Sequence, residues 1–213
     1  MLEQNKKIVS FYGYPVTTLL VVGALLTFSS QSLSSMLLYE RSSILSGEIW
    51  RLVTGHLVHF SKGHLLLDLV CIAVAGWIIE TRRYPMFGLM CVVSALVVGL
   101  VSLLLLPDMY RYGGLSAIGI SAITYLCLLS LKENASQRWI YLMMLFVTGL
   151  KIISEVATGE MLFASIDGSR VVPVPLAHFA GMVVGALFFI LEKTTRKHDF
   201  TTWPNKSLNN DAR

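Results

Sequence analysis

The sequence predicts an all-α membrane protein, a bundle of six transmembrane helices. Three observations carry this. Of 213 residues, 54% are hydrophobic and only 14% charged, against roughly a quarter charged in an average soluble domain. The mean hydropathy is +0.66. The apolar residues also gather into six stretches, at 15–38, 64–79, 85–106, 115–131, 139–157 and 174–191, close to the roughly 20 residues a helix needs to cross a bilayer. The chain accordingly divides into a cytoplasmic N-terminus (1–14), a membrane bundle (15–192) and a cytoplasmic tail (193–213).

Lys6 and Lys7 precede the first stretch, as they would in a signal peptide. Its length, the interruptions at Ser29, Ser30 and Ser34, and the lack of a clear small-residue cleavage site after it favour an uncleaved helix. The second and fourth stretches are short and polar near their starts, as befits central helices shielded from lipid by their neighbours. The third opens at Pro85. The fifth carries Lys151 and Glu155 near its end. They are an i,i+4 pair, and a structural ion pair at the membrane interface is its simplest reading. The sixth contains His178, and the segment beyond Phe200 is polar enough to be disordered.

Lys and Arg near helix ends set the orientation. Lys6, Lys7, Arg82, Arg83, Lys132, Arg138, Lys193, Arg196 and Lys197 fall on alternate loops; Arg41, Arg51, Lys62, Arg111 and Arg170 occupy the others, more sparsely. Both termini are therefore expected in the cytoplasm, with loops 39–63, 107–114 and 158–173 facing outward. The same distribution explains the net charge of +4 as membrane anchoring. No basic run is dense enough for a nucleic-acid surface. Cys71, Cys91 and Cys127 sit inside apolar stretches and read as small buried residues rather than as disulfide partners or metal ligands.

Chemistry concentrates in two segments. Gly113-Gly114-Leu115-Ser116 opens the fourth helix, and Ala177-His178 lies in the sixth, followed by Gly181 and Gly185. A serine at a helix N-terminus has unpaired backbone N–H groups beside it that can stabilise an oxyanion. Taken alone it is more often a packing or capping residue. An ionisable residue within a spanning helix is costly and marks a functional candidate. Small residues after each let two helices approach, as a serine and an imidazole need in order to hydrogen bond. No carboxylate accompanies His178 in its own segment, so a two-residue dyad is more economical than a triad, although Asp68 or another acid can still complete one. His64 and Asp68 share a helix face, and either can donate to an oxyanion, Asp68 only when protonated. A rival grouping of His56, His59, His64 and Asp68 suits zinc by residue type but matches no specific zinc spacing.

At these residues the chain resembles the rhomboid family of intramembrane serine proteases over roughly residues 48–191. Trp50-Arg51, Thr54, His59-Phe60-Ser61 and His64 are similar to the first outer loop and second helix of rhomboids. Gly114-Leu115-Ser116 resembles the nucleophile motif Gly-x-Ser-Gly, and Ala177-His178 with Gly181 and Gly185 resembles the base-bearing sixth helix. The resemblance implies Ser116 as nucleophile, His178 as general base, and His64 with the Ser116 N–H as oxyanion donors. Asp68 and Gly114 would complete the oxyanion and substrate-binding set, and Trp50-Arg51 would lie in an outer loop partly immersed in the membrane. Two positions depart from the pattern: Ala117 stands in place of glycine after the serine, and Asp68 where many rhomboids have asparagine.

The six-helix build and the Lys151/Glu155 segment resemble the rhombosortase branch. That implies a protease of the bacterial inner membrane acting on exported proteins whose C-terminal anchor joins a Gly-Gly motif, a spanning helix and a basic end. A general rhomboid protease and an inactive client-binding relative are the alternatives, together with a metal-dependent hydrolase. No cofactor is expected. The expected partners are transmembrane protein substrates and the bilayer, not nucleic acid.

Overall fold

In hydrocarbon every backbone N–H and C=O must find a partner within the chain, so apolar stretches of this length fold as helices. The computed structural model, which describes residues 14–133, 135–159 and 172–196, is accordingly nearly all helical. In order it contains α1 (Pro15–Ser29), α2 (Gln31–Leu37), the two-residue strand β1 (Tyr39–Glu40), α3 (Arg41–Leu45) and α4 (Arg51–Thr54). These are followed by α5 (Lys62–Thr81), α6 (Phe87–Leu105), the strand β2 (Arg111–Tyr112), α7 (Ser116–Glu133), α8 (Arg138–Thr158) and α9 (Pro175–Arg196). β1 and β2 pair antiparallel, Tyr39 opposite Tyr112. Lys6, Lys7, Arg170, Lys197, most of loop 158–173 and the tail beyond Phe200 lie outside the described residues.

Helices α5 to α9 are each long and apolar enough to cross a membrane. The stretch 15–38, expected as one span, differs: α1 ends at Ser29 and α2 leaves it at 115°. Serine hydroxyls compete with the helical backbone and favour breaks and caps. Here Ser29 Oγ donates to the Leu25 carbonyl at 2.7 Å, and Ser30, in extended conformation, caps α2 by accepting from the Leu33 N–H. Among the described residues there are thus five candidate spans, or six if the bent pair counts as one.

The bent segment is tied down by Arg51. Its Nη1 donates to the carbonyls of Ser35 at 2.8 Å and Leu38 at 2.7 Å, and its Nε pairs with Glu48 at 2.6 Å. Thr54 Oγ1 donates to the Leu37 carbonyl at 2.9 Å. These bonds satisfy carbonyls that the end of α2 leaves unpaired. Met36, Leu45, Ile49 and Trp50 remain exposed around the same loop, an apolar surface suited to lipid.

At the opposite end of the bundle, Arg82 donates to Ser130 Oγ at 2.6 Å and to the Tyr141 hydroxyl at 3.1 Å. Tyr84 donates to Glu133 at 2.5 Å. Burial, reinforced by the Glu133 carboxylate, pushes the Tyr84 phenol up to about 12, so it stays a donor at physiological pH. The α5–α6 and α7–α8 turns are thereby locked together.

Helix α7 is the central element, with two thirds of its residues buried; α8 is peripheral and largely exposed. The larger apolar core gathers Ile72, Phe87, Met90 and Tyr125 from α5, α6 and α7. A smaller core at the Ser116 end gathers Tyr39, Val98, Tyr112, Ala117, Ala177 and Ala180. Helix α9 packs most extensively on α7. A Cβ at Gly181 would sit 2.3 Å from the Ala117 carbonyl oxygen, and one at Gly185 2.4 Å from that of Ser121. Ser94 Oγ donates to Ser121 Oγ at 2.8 Å, which donates in turn to the Gly181 carbonyl at 2.6 Å. This relay stitches α6, α7 and α9 together.

Helix α1 has no side-chain cap of its own at Tyr14. Glu80 at the end of α5 supplies one, accepting from the Val16 N–H at 2.9 Å and the Thr17 hydroxyl at 2.5 Å. A carboxylate there also complements the helix dipole. Glu80→Ala is expected to cost about 1–2 kcal/mol, the range of a lost N-cap, read as a lower thermal midpoint in detergent. An unchanged midpoint would contradict this account of how α1 is held.

Candidate active site

Ser116 is the first residue of α7 and is half-buried. Its entering loop needs glycine at Gly114, where φ is +120° and a Cβ would lie 2.5 Å from His64 Cε1. Side chains rarely adopt that conformation, and here one would also displace the His64 ring. His178 occupies the first turn of α9 and is buried. The Gly181 contact brings its helix against α7, and Ser116 Oγ lies 2.8 Å from His178 Nε2.

The other ring nitrogen is engaged too. His178 Nδ1 lies 2.5 Å from Glu155 Oε2, and Glu155 Oε1 pairs with Lys151. The Glu155 side chain is fully buried. An ionised carboxylate only accepts hydrogen bonds, so Nδ1 carries the proton and donates to it. That leaves the Nε2 lone pair facing the Ser116 hydroxyl, as a general base requires. The Lys151 ammonium lies 3.3 Å from Nδ1; it has no lone pair to accept that proton, and it bonds to Glu155 instead. The acid that α9 lacks thus comes from α8, and the Lys151/Glu155 pair, expected at the membrane interface, turns its carboxylate into the bundle.

Asp68 does not reach His178. Its Oδ2 lies 3.1 Å from His59 Nε2 and 3.2 Å from His64 Nε2. His59 Nδ1 faces the Leu57 carbonyl at 3.1 Å, an acceptor, so Nδ1 is protonated. A further proton then lies between His59 Nε2 and Asp68, on one or the other, and the pair is neutral as a whole. The Leu115 N–H approaches the same Nε2 by a longer contact of 3.4 Å. His64 is buried, and neither of its ring nitrogens makes a hydrogen bond among the described residues. It lines a small cleft together with Phe60, Tyr112, Gly113, Ser116 and His178. Its Nε2 is nonetheless within 3.2 Å of Asp68 Oδ2, and the ring borders Ser116 in the cleft.

His56 stands apart from that group. Its Nε2 lies 3.0 Å from the Ala95 carbonyl and its Nδ1 3.3 Å from that of Gly114, bridging α6 to the loop before Ser116. Among the described residues, no three His, Cys, Asp or Glu side chains are arranged to hold a metal.

A rhomboid domain matches residues 46–193, well over half of the chain. The chain belongs to the rhomboid family. No curated protein matches it. Rhomboid proteins are generally intramembrane serine proteases that act on transmembrane substrates within the bilayer, and this chain is a rhomboid-type protease or a relative of one. Of the site residues expected from the sequence, Ser116, His178 and His64 line the cleft of this rhomboid domain, with Gly114 against the His64 ring and Asp68 3.2 Å from its Nε2. Two further residues join them, Glu155 beside His178 and His59 beside Asp68. The sequence singles out Glu155 only as half of an ion pair, and His59 only within a motif and a rival metal grouping.

Burial pushes His56 down to about 4 from its ordinary 6.5. At neutral pH its ring therefore holds one proton and serves the nearer carbonyl, that of Ala95. Between pH 6.5 and 4 the unfolded chain takes up a proton here that the folded chain does not. Stability from this group is thus complete above about 6.5 and lost as pH falls toward 4. The stability advantage of the wild type over His56→Gln should shrink by about 3 kcal/mol across that window, measured by denaturation in detergent at several pH values. A pH-independent difference would show that His56 is not buried neutral.

Proposed function

We propose that the protein is an intramembrane serine protease. It cleaves membrane-anchored proteins at the outer edge of their transmembrane helices, with Ser116 as nucleophile and His178 as general base. The observation that carries this reading is the 2.8 Å contact between Ser116 Oγ and His178 Nε2, made across two helices inside a rhomboid domain. His178 takes the Ser116 proton as the oxygen attacks the substrate carbonyl. His64 and the free Ser116 N–H at the start of α7 stabilise the oxyanion. His178 returns the proton to the leaving amine, and water entering through the cleft releases the acyl-enzyme. A helical peptide bond is shielded by its own turn, so the substrate must unwind locally. Glycine near the cut lowers that cost because it weakens the helix.

The rhombosortase branch is our finer assignment: an enzyme of the bacterial inner membrane with both termini cytoplasmic, removing anchors that carry a C-terminal Gly-Gly sorting motif. The cleft beside Ser116 would face outward, and the apolar loop around Trp50 would rest in the outer leaflet.

Ser116→Ala and His178→Ala should each lower cleavage of a reporter in membranes by at least about 10³-fold, and the double variant little further, because the two act as one unit. Unchanged cleavage by Ser116→Ala would overturn the protease reading. His64→Ala should cost roughly 10²–10³-fold in kcat, as loss of an oxyanion donor does.

A second measurement addresses the substrate. A reporter ending in Gly-Gly, an apolar helix and a basic tail should be cut, and replacing both glycines with leucine should abolish cutting. Equal cleavage of both reporters would leave a general rhomboid protease and remove the rhombosortase assignment.

A further inference from the structure

We infer that Glu155 is a positioning residue that completes a Ser116–His178–Glu155 triad drawn from three helices, with Lys151 as the counter-ion that keeps its carboxylate ionised within the bundle. The inference rests on the serine-protease reading above.

Three features of the geometry carry it. The first is the use of the imidazole. Both ring nitrogens are engaged at short range, Nε2 with Ser116 at 2.8 Å and Nδ1 with Glu155 at 2.5 Å. The third group thus acts on the nitrogen opposite the nucleophile, where a carboxylate sets the tautomer of a histidine base.

The second is the division of the carboxylate. A merely structural i,i+4 pair on a peripheral helix would keep the acid near the surface, shared between lysine and water. Here the Glu155 side chain has 0% exposure while that of Lys151 has 26%. The acid points inward and the base reaches toward solvent. Each carboxylate oxygen has its own partner, Oε1 to Lys151 and Oε2 to His178. An unpaired carboxylate at this depth would be heavily penalised by desolvation; the Lys151 ammonium offsets that penalty.

The third is the competition at Nδ1. The Lys151 Nζ lies 3.3 Å from that nitrogen. Without Glu155, the ammonium could donate to Nδ1 and the ring proton would move to Nε2. Facing Ser116 with an N–H, the imidazole could no longer accept the serine proton. Glu155 engages the ammonium with one oxygen and holds the Nδ1 proton with the other, so the lone pair stays on Nε2. When His178 takes the Ser116 proton, the imidazolium is stabilised by a carboxylate already in place, and the Nδ1 proton need not move.

The test compares wild type, Glu155→Gln, Glu155→Asp and Ser116→Ala in detergent, by reporter cleavage and by proton NMR of the imidazole N–H region. Glu155→Gln should lower kcat by roughly 10²–10⁴-fold with KM unchanged, and Glu155→Asp should recover part of the loss. A far-downfield N–H resonance from the His178–Glu155 bond should appear in the wild type and in Ser116→Ala, and vanish in Glu155→Gln. Wild-type kcat in Glu155→Gln, or persistence of that resonance, would overturn the triad. If Glu155→Gln does not fold, Glu155→Asp decides alone: a lowered kcat with a displaced resonance supports the triad, and wild-type values for both overturn it. Retained cleavage in Ser116→Ala would sink the protease reading instead, while the resonance would still report whether Glu155 holds the ring.

Discussion

The distance between α7 and α9 governs everything at the Ser116 end of the bundle. Gly181 and Gly185 present bare backbone to the carbonyl oxygens of Ala117 and Ser121, where a methyl group would stand 2.3 and 2.4 Å away. Lipid offers no hydrophobic drive to press helices together, so close packing and interhelical hydrogen bonds must supply it. The Ser94–Ser121–Gly181 relay supplies the hydrogen bonds. Because Ser116 lies one residue before Ala117 and His178 three before Gly181, the register that seats the glycines also sets the serine–imidazole distance. The serine–imidazole geometry and the helix packing are one constraint here.

Around that contact, polar groups are placed in closed sets. His178, Glu155 and Lys151 form one, His59 and Asp68 a second, and Arg82, Ser130 and Tyr141 a third at the opposite end. In a low-dielectric interior an unpaired ion is expensive, and the buried Glu155 and Asp68 carboxylates each have partners. His64 departs from this economy. It is buried beside Ser116, and among the described residues its ring nitrogens make no closer polar approach than Nε2 to Asp68 Oδ2 at 3.2 Å, short of hydrogen-bond geometry. On the protease reading, an imidazole N–H at the edge of the cleft is placed to meet charge that appears there during reaction, as preorganised oxyanion donors are.

Much of this was legible in the residues. Five spans could be placed from hydropathy within a few residues, since length and apolarity alone decide whether a segment crosses the bilayer. Ser116 and His178 stood out because each interrupts an apolar stretch next to glycine. The 115° break after Ser29 did not, because hydropathy averages over a bend and a serine cap counts as a mild polar substitution. Nor did the role of Glu155. An acid four residues after a lysine has a sufficient explanation on its own helix, and no spacing reveals that its second oxygen meets an imidazole 23 positions away. His59 and Asp68 fall together in the rival metal grouping, but no spacing reveals a direct contact across nine positions and a helix start.

The two departures from the rhomboid pattern can be weighed physically. Ala117 adds a methyl group where glycine is usual, at a tight interface. The facing helix offers Ala177, Ala180 and Gly181 there, and Ala117 is fully buried among them, so the methyl group fills space rather than forcing the helices apart. Asp68 would oppose an oxyanion if it stood as a bare carboxylate. His59 must hold a proton on Nδ1 for the Leu57 carbonyl, and a second proton bridges it to Asp68. The pair behind His64 therefore presents no net charge to the cleft. An acid and a histidine together do here what a neutral amide would do alone. Neither substitution removes a group that peptide hydrolysis needs, and so neither favours a client-binding relative over an enzyme.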